Sequence, residues 1–477
     1  MKRKGLRASV CGLLGLVAFA WAASTAAAYS VLSHEAIVDS LWPTEIRRLL
    51  LRRFPLATDA QLRGAHAYAY GGCIIQDLGY YPFGNRFFSG LTHYVRTGDF
   101  VAAMLADARD VNEYAFALGA LSHYAADYEG HPLAVNRAVP LVYPRLAKKY
   151  GDQVTFADDP KAHVMVEFSF DVVRVAGSGY LPRTYNDFIG FQVSRGLVER
   201  AFKETYGLEM SDLFDDEDLA FETYRRAASE IIPRLTQAAW KKRQSEILKV
   251  DPQATRDEFV FKLTRQDYEG EWGNDYRKPE FAHWRERLRR ARPALITRVL
   301  VFIFQLVPKV GPLETLSFRV PSPEAEQLFT QSYQATLDYY RSLVERTGEL
   351  PRSEVAQAPA VVGGLNLAND NLDTGQPTRL GEYPLADKTY AKLLDESSDR
   401  GFRTVPPALR EDILAFYAAP HPTVAGGRDP KRWNKTEHEL KELQATGKTA
   451  HAAGVIRRPT ASNKGEMPSG RPSQMSP

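Results

Sequence analysis

The stretch ALGALSHYAADYEGH, residues 117–131, decides the fold of this 477-residue chain. It is rich in helix formers and free of proline, so it predicts a helix. His123 and Asp127 lie four residues apart, and a helix places such a pair on one face. His131 continues this spacing, although Pro132 predicts that the helix ends nearby. An imidazole and a carboxylate that project together from one helix can bind a metal ion.

A second pair with this spacing, His163 and Glu167, lies in KAHVMVEF, residues 161–168, on another predicted helix. One such pair is weak evidence, because surface helices often carry it as solvated residues. Both pairs here have apolar neighbours, among which an uncompensated polar group would be costly. Mixed nitrogen and oxygen ligands suit zinc better than calcium. The first third of the chain holds eight candidate ligands, with five of the ten histidines among them: His34, Asp77, His93, His123, Asp127, His131, His163 and Glu167.

Apolar residues recur at helical spacing from Glu35 onward, and alternating strand patterns are scarce, so the predicted class is mainly α. Hydrophobic residues make up 44% of the chain, enough for a sizeable core. Residues 99–130 are one example of helical spacing, and the residues around Phe221 are another, which Pro233 should kink or end. A third helix is predicted from Pro323 to about residue 346, with Ser322 as its N-cap.

The first 28 residues have the pattern of a secretory signal peptide. Four basic residues precede or flank an apolar run over residues 8–23, and residues 24–28 are all small. A membrane anchor is disfavoured because the run is shorter than the roughly 20 apolar residues that span a bilayer. The sequence thus predicts an exported protein, periplasmic or extracellular, that begins at Tyr29. Cys73 would be its only cysteine, so it would have no internal disulfide.

The net charge disfavours an electrostatic nucleic-acid footprint. The formal charge of +3 includes four positive charges in the signal segment, so the chain from residue 29 carries −1. Residues 421–477 hold ten Lys/Arg against five Asp/Glu, which leaves −6 for residues 29–420. Nucleic-acid binding normally requires a basic surface.

Composition divides the chain into a helical domain at 29–346, a loop-rich extension at 347–420 and a tail at 421–477. Short helices are predicted at 386–396 and 407–418, and the tail is predicted to be disordered because it is rich in Pro, Gly, Ser, Thr and Lys. Residues 80–89 are predicted to form an aromatic loop. The apolar run at 295–307 suits either a membrane-contacting element or a buried core helix.

The candidate ligands and their spacing resemble those of the zinc-dependent phospholipase C and S1/P1 nuclease family, and more closely the bacterial phospholipases C. These are mostly helical secreted phosphodiesterases with three clustered zinc ions. The resemblance implies one zinc on Asp77, His93, His123 and Asp127. It implies a second zinc on Asp127, His34 and the Tyr29 amine and carbonyl. It implies a third on His131, His163 and Glu167.

Two positions depart from the family pattern. The family usually has tryptophan where this chain has Tyr29, a tolerable change because backbone atoms would bind the metal. The spacing from Asp127 to His131 is shorter than is typical, and Pro132 follows this histidine where the family's proline precedes it. The third zinc site is therefore the one that departs most from the family.

The resemblance implies phosphodiester hydrolysis by zinc-activated water, with Asp77 orienting or deprotonating that water. A phospholipase C acting on glycerophospholipids is the leading hypothesis, with a membrane surface as one setting for this substrate, and no protein partner is predicted. An S1/P1-like nuclease or nucleotidase is the alternative in which nucleic acid is the substrate. A zinc-stabilised binding protein without catalysis is the third hypothesis. The aromatic residues near Asp77 suit either choline binding or ordinary packing: Tyr80, Tyr81, Phe83, Phe87 and Phe88.

Overall fold

Helices make up most of the computed structural model, which describes residues 29–175, 190–250, 252, 318–348, 365–418 and 430–455. In these ranges the only strands form a two-stranded antiparallel hairpin, in which Asp370 is opposite Pro377 and Asn371 is opposite Gln376. The predicted mainly α class is confirmed. The segments at 1–28 and 295–307 lie outside the described residues.

The α-helices are α1 Val31–Leu41, α2 Arg47–Arg53, α3 Asp59–Gly72, α4 Arg86–Tyr94, α5 Thr97–Asp107, α6 Val111–Gly130, α7 Asn136–Val142, α8 Pro144–Tyr150, α9 Pro160–Phe170, α10 Arg195–Tyr206, α11 Glu217–Arg226, α12 Ile232–Val250, α13 Pro323–Gly348, α14 Pro384–Asp399, α15 Pro407–Ala418 and α16 Pro430–Val455. π-Helical turns lie at Trp42–Ile46, His131–Val135, Asp171–Val175 and Ala227–Ile231, and 3₁₀ turns at Ile75–Tyr80 and Met210–Asp212. The strands are β1 Asp370–Asn371 and β2 Gln376–Pro377. No described helix is long and apolar enough to cross a membrane.

Helix α6 lies at the centre of the helical domain. The Asp110 carboxylate caps its first turn by accepting hydrogen bonds from the backbone N–H groups of Asn112 and Glu113. Its contact with α3 depends on Gly119, where a Cβ would press on the Ala69 carbonyl oxygen and lie 2.9 Å from the Cys73 nitrogen. The absence of a side chain therefore lets the two backbones approach closely, and this approach brings the end of α3 to the middle of α6.

The predicted helix over 99–130 is two helices, because Ala108 is extended and Asp110 begins a new helix as its N-cap. The predicted aromatic loop at 80–89 is shorter than expected. Only residues 81–85 form a loop, and Asn85 caps the N-terminus of α4 by accepting a hydrogen bond from the Phe87 N–H.

The α-helix before Pro132 ends at Gly130, as predicted, but near both Pro132 and Pro233 the helical path continues through a π turn. After α6 the chain forms the π turn His131–Val135, with Pro132 near its start, and continues directly into α7. Likewise, the π turn Ala227–Ile231 leads into α12, which contains Pro233. A π turn changes the backbone hydrogen-bond register, and this change lets a helix continue past a residue that has no N–H to donate.

The predicted third helix is confirmed as α13. Its N-cap is Ser322, whose hydroxyl accepts a hydrogen bond from the Ala325 N–H at 3.2 Å. Farther along α13, the Tyr340 hydroxyl donates to the Leu118 carbonyl at 2.8 Å, and Ser332 is bonded to the Tyr29 hydroxyl at 2.6 Å. This helix therefore joins the first described residue to the central helix α6.

The C-terminal part is more helical than its composition predicts. The predicted short helices are present as α14 and α15, each within a few residues of its expected bounds. The tail was predicted to be disordered, but residues 430–455 of it form α16, and this prediction is wrong for them. Arg432 of α16 forms a two-pronged ion pair with Asp395 of α14, and Leu443 is buried. Such long-range partners are invisible in local composition.

Candidate metal centre

The structure brings all eight predicted side-chain ligands together in three groups, and in each group the candidate ligand atoms lie within 4.8 Å of one another. Six separate segments supply them, and each ligand is nearly or fully buried. The groups are His34, His123 and Asp127; Asp77, His93 and His123; and His131, His163 and Glu167. His123 is common to the first two groups, and Nε2 of His131 in the third group lies 3.6 Å from Asp127 Oδ2, so the three form one continuous centre.

Backbone carbonyls orient two imidazoles in this centre. The Nδ1 atom of His93 lies 2.7 Å from the Ser89 carbonyl oxygen, and Nδ1 of His123 lies 3.0 Å from the Cys73 carbonyl oxygen. A carbonyl oxygen can only accept, so both Nδ1 atoms must donate. When neutral, each ring therefore presents an unprotonated Nε2 to the interior of the centre.

These two Nε2 atoms face each other at 3.4 Å. Asp127 Oδ2 lies 3.3 Å from Nε2 of His93 and 3.2 Å from Nε2 of His123. Asp77 Oδ1 adds a second carboxylate 3.4 Å from Nε2 of His93. Four electron-pair donors that converge in a buried site repel one another unless a cation lies between them. The donor set of nitrogen and oxygen atoms fits zinc.

The pKa values of His93 and Asp127 reflect these contacts. Burial opposes the charged form of His93, but hydrogen bonds to Asp127 and Asp77 raise its pKa well above the usual range. Burial also opposes ionisation of Asp127, yet its neighbours, led by His123, hold its pKa well below the usual range. The site therefore strongly favours a positive charge between the carboxylates, and a metal ion would replace the proton there.

The third group also has a fixed imidazole orientation. Asn136 donates from Nδ2 to the Asp373 carbonyl at 2.8 Å, so its Oδ1 is the atom that lies 2.9 Å from Nε2 of His163. Nε2 must then donate, and Nδ1 of the neutral ring faces a Glu167 oxygen at 2.6 Å. Burial lowers the pKa of His163 well below the usual range, and the nearby His131 adds to this effect. An unprotonated nitrogen beside a carboxylate again fits a bound cation.

His34 and His131 complete the groups. Among the described residues, neither ring nitrogen of either histidine has a hydrogen-bond partner, although both rings are buried. Nε2 of each lies 3.6 Å from an Asp127 oxygen. Burial, followed by the charge of His123, lowers the pKa of His34 well below the usual range. A neutral imidazole is the form that binds metal.

Tyr29, the ninth predicted ligand, lies outside these side-chain groups. Its ring is buried against Phe329 and Tyr333 of α13. The chain just after it is held by Asp171, whose carboxylate accepts hydrogen bonds from the N–H groups of Leu32 and Ser33 at 2.9 and 3.0 Å. This contact fixes the start of α1, three residues before His34. The role of the Tyr29 backbone as a ligand stays a prediction.

Most of the predicted aromatic cluster belongs to the core. Phe88 stacks on Phe202, and Tyr81 packs edge-on against Tyr224. Tyr80 is the member beside the centre, with its ring centroid 6.1 Å from that of His93. Ordinary packing therefore accounts for Tyr81 and Phe88, whereas the Tyr80 ring contacts a candidate ligand.

Sequence reasoning missed Asp373, a buried carboxylate in the turn between β1 and β2. Its Oδ1 lies 3.4 Å from Nε2 of His131. No ligand spacing marks it, because it is far downstream in a segment with no helical periodicity. Asn136 was also missed. Its position five residues after His131 is a weak signal for a residue near the ligands. That spacing places Asn136 there only because of the π turn, which the sequence did not predict.

The structure thus combines a helical domain with three buried groups of histidines and carboxylates that could each hold a metal ion. Residues 33–216 match the family model described as zinc dependent phospholipase C. This part of the chain contains all eight side-chain ligands, and the match supports a zinc-dependent phospholipase C and P1 nuclease-like family. The resemblance inferred from the ligand spacing is thereby confirmed. No curated protein and no solved structure matches the chain.

Proposed function

We propose that the chain is an exported zinc-dependent phospholipase C, which hydrolyses glycerophospholipids between the glycerol and the phosphorylated headgroup. The observation that carries this proposal is the pair of Nε2 atoms of His93 and His123, 3.4 Å apart between Asp77 and Asp127. Family membership supplies the hydrolytic class, and zinc is the cofactor that the family requires.

Bound zinc would lower the pKa of a water molecule and neutralise charge on the phosphate oxygens. The chain's own residues would then have distinct tasks. His93, His123 and Asp127 would hold the metal, with His34 joining them for a second ion. Asp77 would orient the attacking water and accept its proton on the carboxylate. No side-chain nucleophile is needed.

Export would add a ninth ligand to this centre. Cleavage of a signal peptide after residue 28 would give Tyr29 a free α-amine, and an amine with its adjacent carbonyl can bind a metal ion. Asp171 supports this role, because it fixes the start of α1 between Tyr29 and His34. Assembly of the second zinc site would thus depend on removal of the signal peptide.

Lipid is favoured over nucleic acid by charge. Residues 29–420 carry a formal charge of −6, which would repel a polyanion. The nuclease hypothesis therefore requires a local basic surface beside the centre.

A second candidate function is a zinc-stabilised binding protein without catalysis. The observation that favours it is burial: Asp77 is only 2% exposed and His93 1% exposed, so a substrate would have to displace covering residues. In this case zinc would stabilise the fold, and no phosphodiester would be cleaved.

One preparation tests these functions together. The exported protein is purified, its N-terminus is sequenced, its zinc is counted, and hydrolysis of phosphatidylcholine vesicles is compared with hydrolysis of single-stranded RNA. We expect an N-terminus at Tyr29, about three zinc ions and lipid hydrolysis. RNA cleavage without lipid cleavage would favour the nuclease, and zinc without any hydrolysis would favour the binding protein. A chain that binds no zinc would refute all three.

A further inference from the structure

Asp373 lies against the third ligand group, although it belongs to the C-terminal hairpin and not to the segment that matches the family. Its Oδ1 is 3.4 Å from Nε2 of His131, and the residue is only 1% exposed. His131 lies 3.6 Å from Asp127 on the side of the central helix. One imidazole is therefore flanked by two buried carboxylates from distant parts of the chain.

Two tyrosines fix the direction of the Asp373 carboxylate. The Tyr94 hydroxyl donates to Oδ2 at 2.8 Å, and the Tyr383 hydroxyl donates to the same oxygen. The Asp373 N–H donates to Asn371 Oδ1 at 2.9 Å, which holds the turn. Because Oδ2 takes both hydroxyls, Oδ1 remains directed at His131. A carboxylate oriented by hydrogen bonds through one oxygen is arranged as metal-ligating carboxylates are.

The backbone of Asp373 acts on the second histidine of the group. Its carbonyl accepts a hydrogen bond from Asn136 Nδ2, and Asn136 Oδ1 accepts one from Nε2 of His163. This chain of contacts leaves Nδ1 of His163 facing Glu167. Asp373 therefore contacts His131 with its side chain and orients His163 through its carbonyl.

We propose that Asp373 is a fourth ligand of the metal ion held by His131, His163 and Glu167, so that this ion fastens the hairpin to the helical domain. Four protein ligands are typical of closed structural zinc sites, whereas catalytic sites keep one position open. The third site would then be structural, and the other two groups would remain for chemistry. This inference rests on the zinc binding of the proposed function but not on hydrolysis.

The test compares Asp373→Asn with Asp370→Asn, a matched loss of a carboxylate in the same hairpin. Asp370 is half-buried and its side chain bonds Tyr128. Asparagine can still accept from both tyrosines, but its amide nitrogen is a poor zinc ligand. We expect Asp373→Asn to weaken the binding of one zinc ion at least tenfold in a chelator competition, with no such change in Asp370→Asn. Equal zinc affinity in the two variants would overturn the proposal.

A second measurement uses the unaltered chain and so does not depend on folding of a variant. Hydrogen exchange is followed at the hairpin amides, residues 370–377, with zinc and after its removal by a chelator. We expect zinc to slow exchange in the hairpin, and to slow it less in Asp373→Asn. Exchange that is the same with and without zinc would show that the hydrogen bonds alone hold the hairpin. A chain that binds zinc but gives this result would leave the proposed function intact.

Discussion

The ligand groups around His123 and the group around His163 are oriented by different kinds of contact. His93 and His123 donate to backbone carbonyls, those of Ser89 within α4 and Cys73 at the end of α3. His163 instead depends on the side chain of Asn136, which is itself held by the C-terminal hairpin. Backbone carbonyls keep their positions as long as the helices pack, whereas a side-chain relay fails when one member is lost. The first two groups should therefore be the more robust part of the centre.

The largest expected effect comes from Asp127→Asn, which removes a carboxylate that the first two groups depend on. A metal ion contributes several kcal/mol of transition-state stabilisation, so we expect phosphatidylcholine hydrolysis to fall by roughly a thousandfold or more. Glu129→Gln, two residues along α6 and in none of the groups, is the matched control and should keep its activity. Retained hydrolysis in Asp127→Asn at normal zinc content would show that this carboxylate is not shared.

The second prediction concerns the backbone packing that orients His123. Gly119→Ala would place a Cβ against the Ala69 carbonyl and near the Cys73 nitrogen, so α3 and α6 would have to separate. We expect a loss of about 1–3 kcal/mol in the free energy of unfolding, together with weaker zinc binding. Gly64→Ala in α3 is the control, since its nearest neighbour would be the Asn112 side chain at 4.0 Å. Chemical denaturation measures the free energy of unfolding of the two variants. Equal stability would contradict the close packing of α3 and α6.

The third prediction tests the side-chain relay. Asn136→Ala removes the acceptor of the His163 proton, so we expect the zinc of the third group to be held about 10–100 times more weakly. The two other zinc ions should stay, because Asn136 does not contact their ligands. Asn369→Ala, which removes an amide that bonds Asp99, is a control for loss of an asparagine near the hairpin. Simultaneous loss of all three ions would show that the two halves of the centre are not separable.

The smallest effect is expected from Thr58→Ala at the start of α3. Thr58 forms a capping box with Gln61, and loss of such a cap costs about 1 kcal/mol. The residue lies at the opposite end of α3 from Cys73, so the zinc content should not change. Thermal unfolding with zinc counting checks both expectations. A loss of zinc here would mean that the backbone-oriented groups are more sensitive to distant changes than the contacts of His123 suggest.

Local pattern predicted the pairs within one helix, because a period of 3.6 residues places His123 beside Asp127 and His163 beside Glu167. His34, Asp77 and His93 could be joined to them only through the family resemblance, since long-range packing of α1, α4 and the 3₁₀ turn brings them in. Neither the local pattern nor the family resemblance identified Asp373. Its approach depends on Tyr94 and Tyr383, and no spacing in the sequence records that contact.

The continued helical path past Pro132 and the helix in the tail, neither of which the sequence predicted, have separate physical causes. Proline predicts the end of a helix from the loss of one hydrogen bond, but a π turn supplies a different register in which the helical path goes on. In the tail, polar composition predicted disorder. The ion pair of Arg432 with Asp395 and the burial of Leu443 supply partners that composition does not reveal.

Because of the π turn at 131–135, the third ligand group depends on the number of residues in this segment. The Asn136 N–H donates to the His131 carbonyl, five residues back, so the turn contains one residue more than a regular α-helix would use. Deletion of that residue would restore a regular helix and rotate every later position of α7 by about 100°. Asn136 would then leave His163 while His123 and Asp127 kept their places. A one-residue deletion would thus separate the third site from the other two.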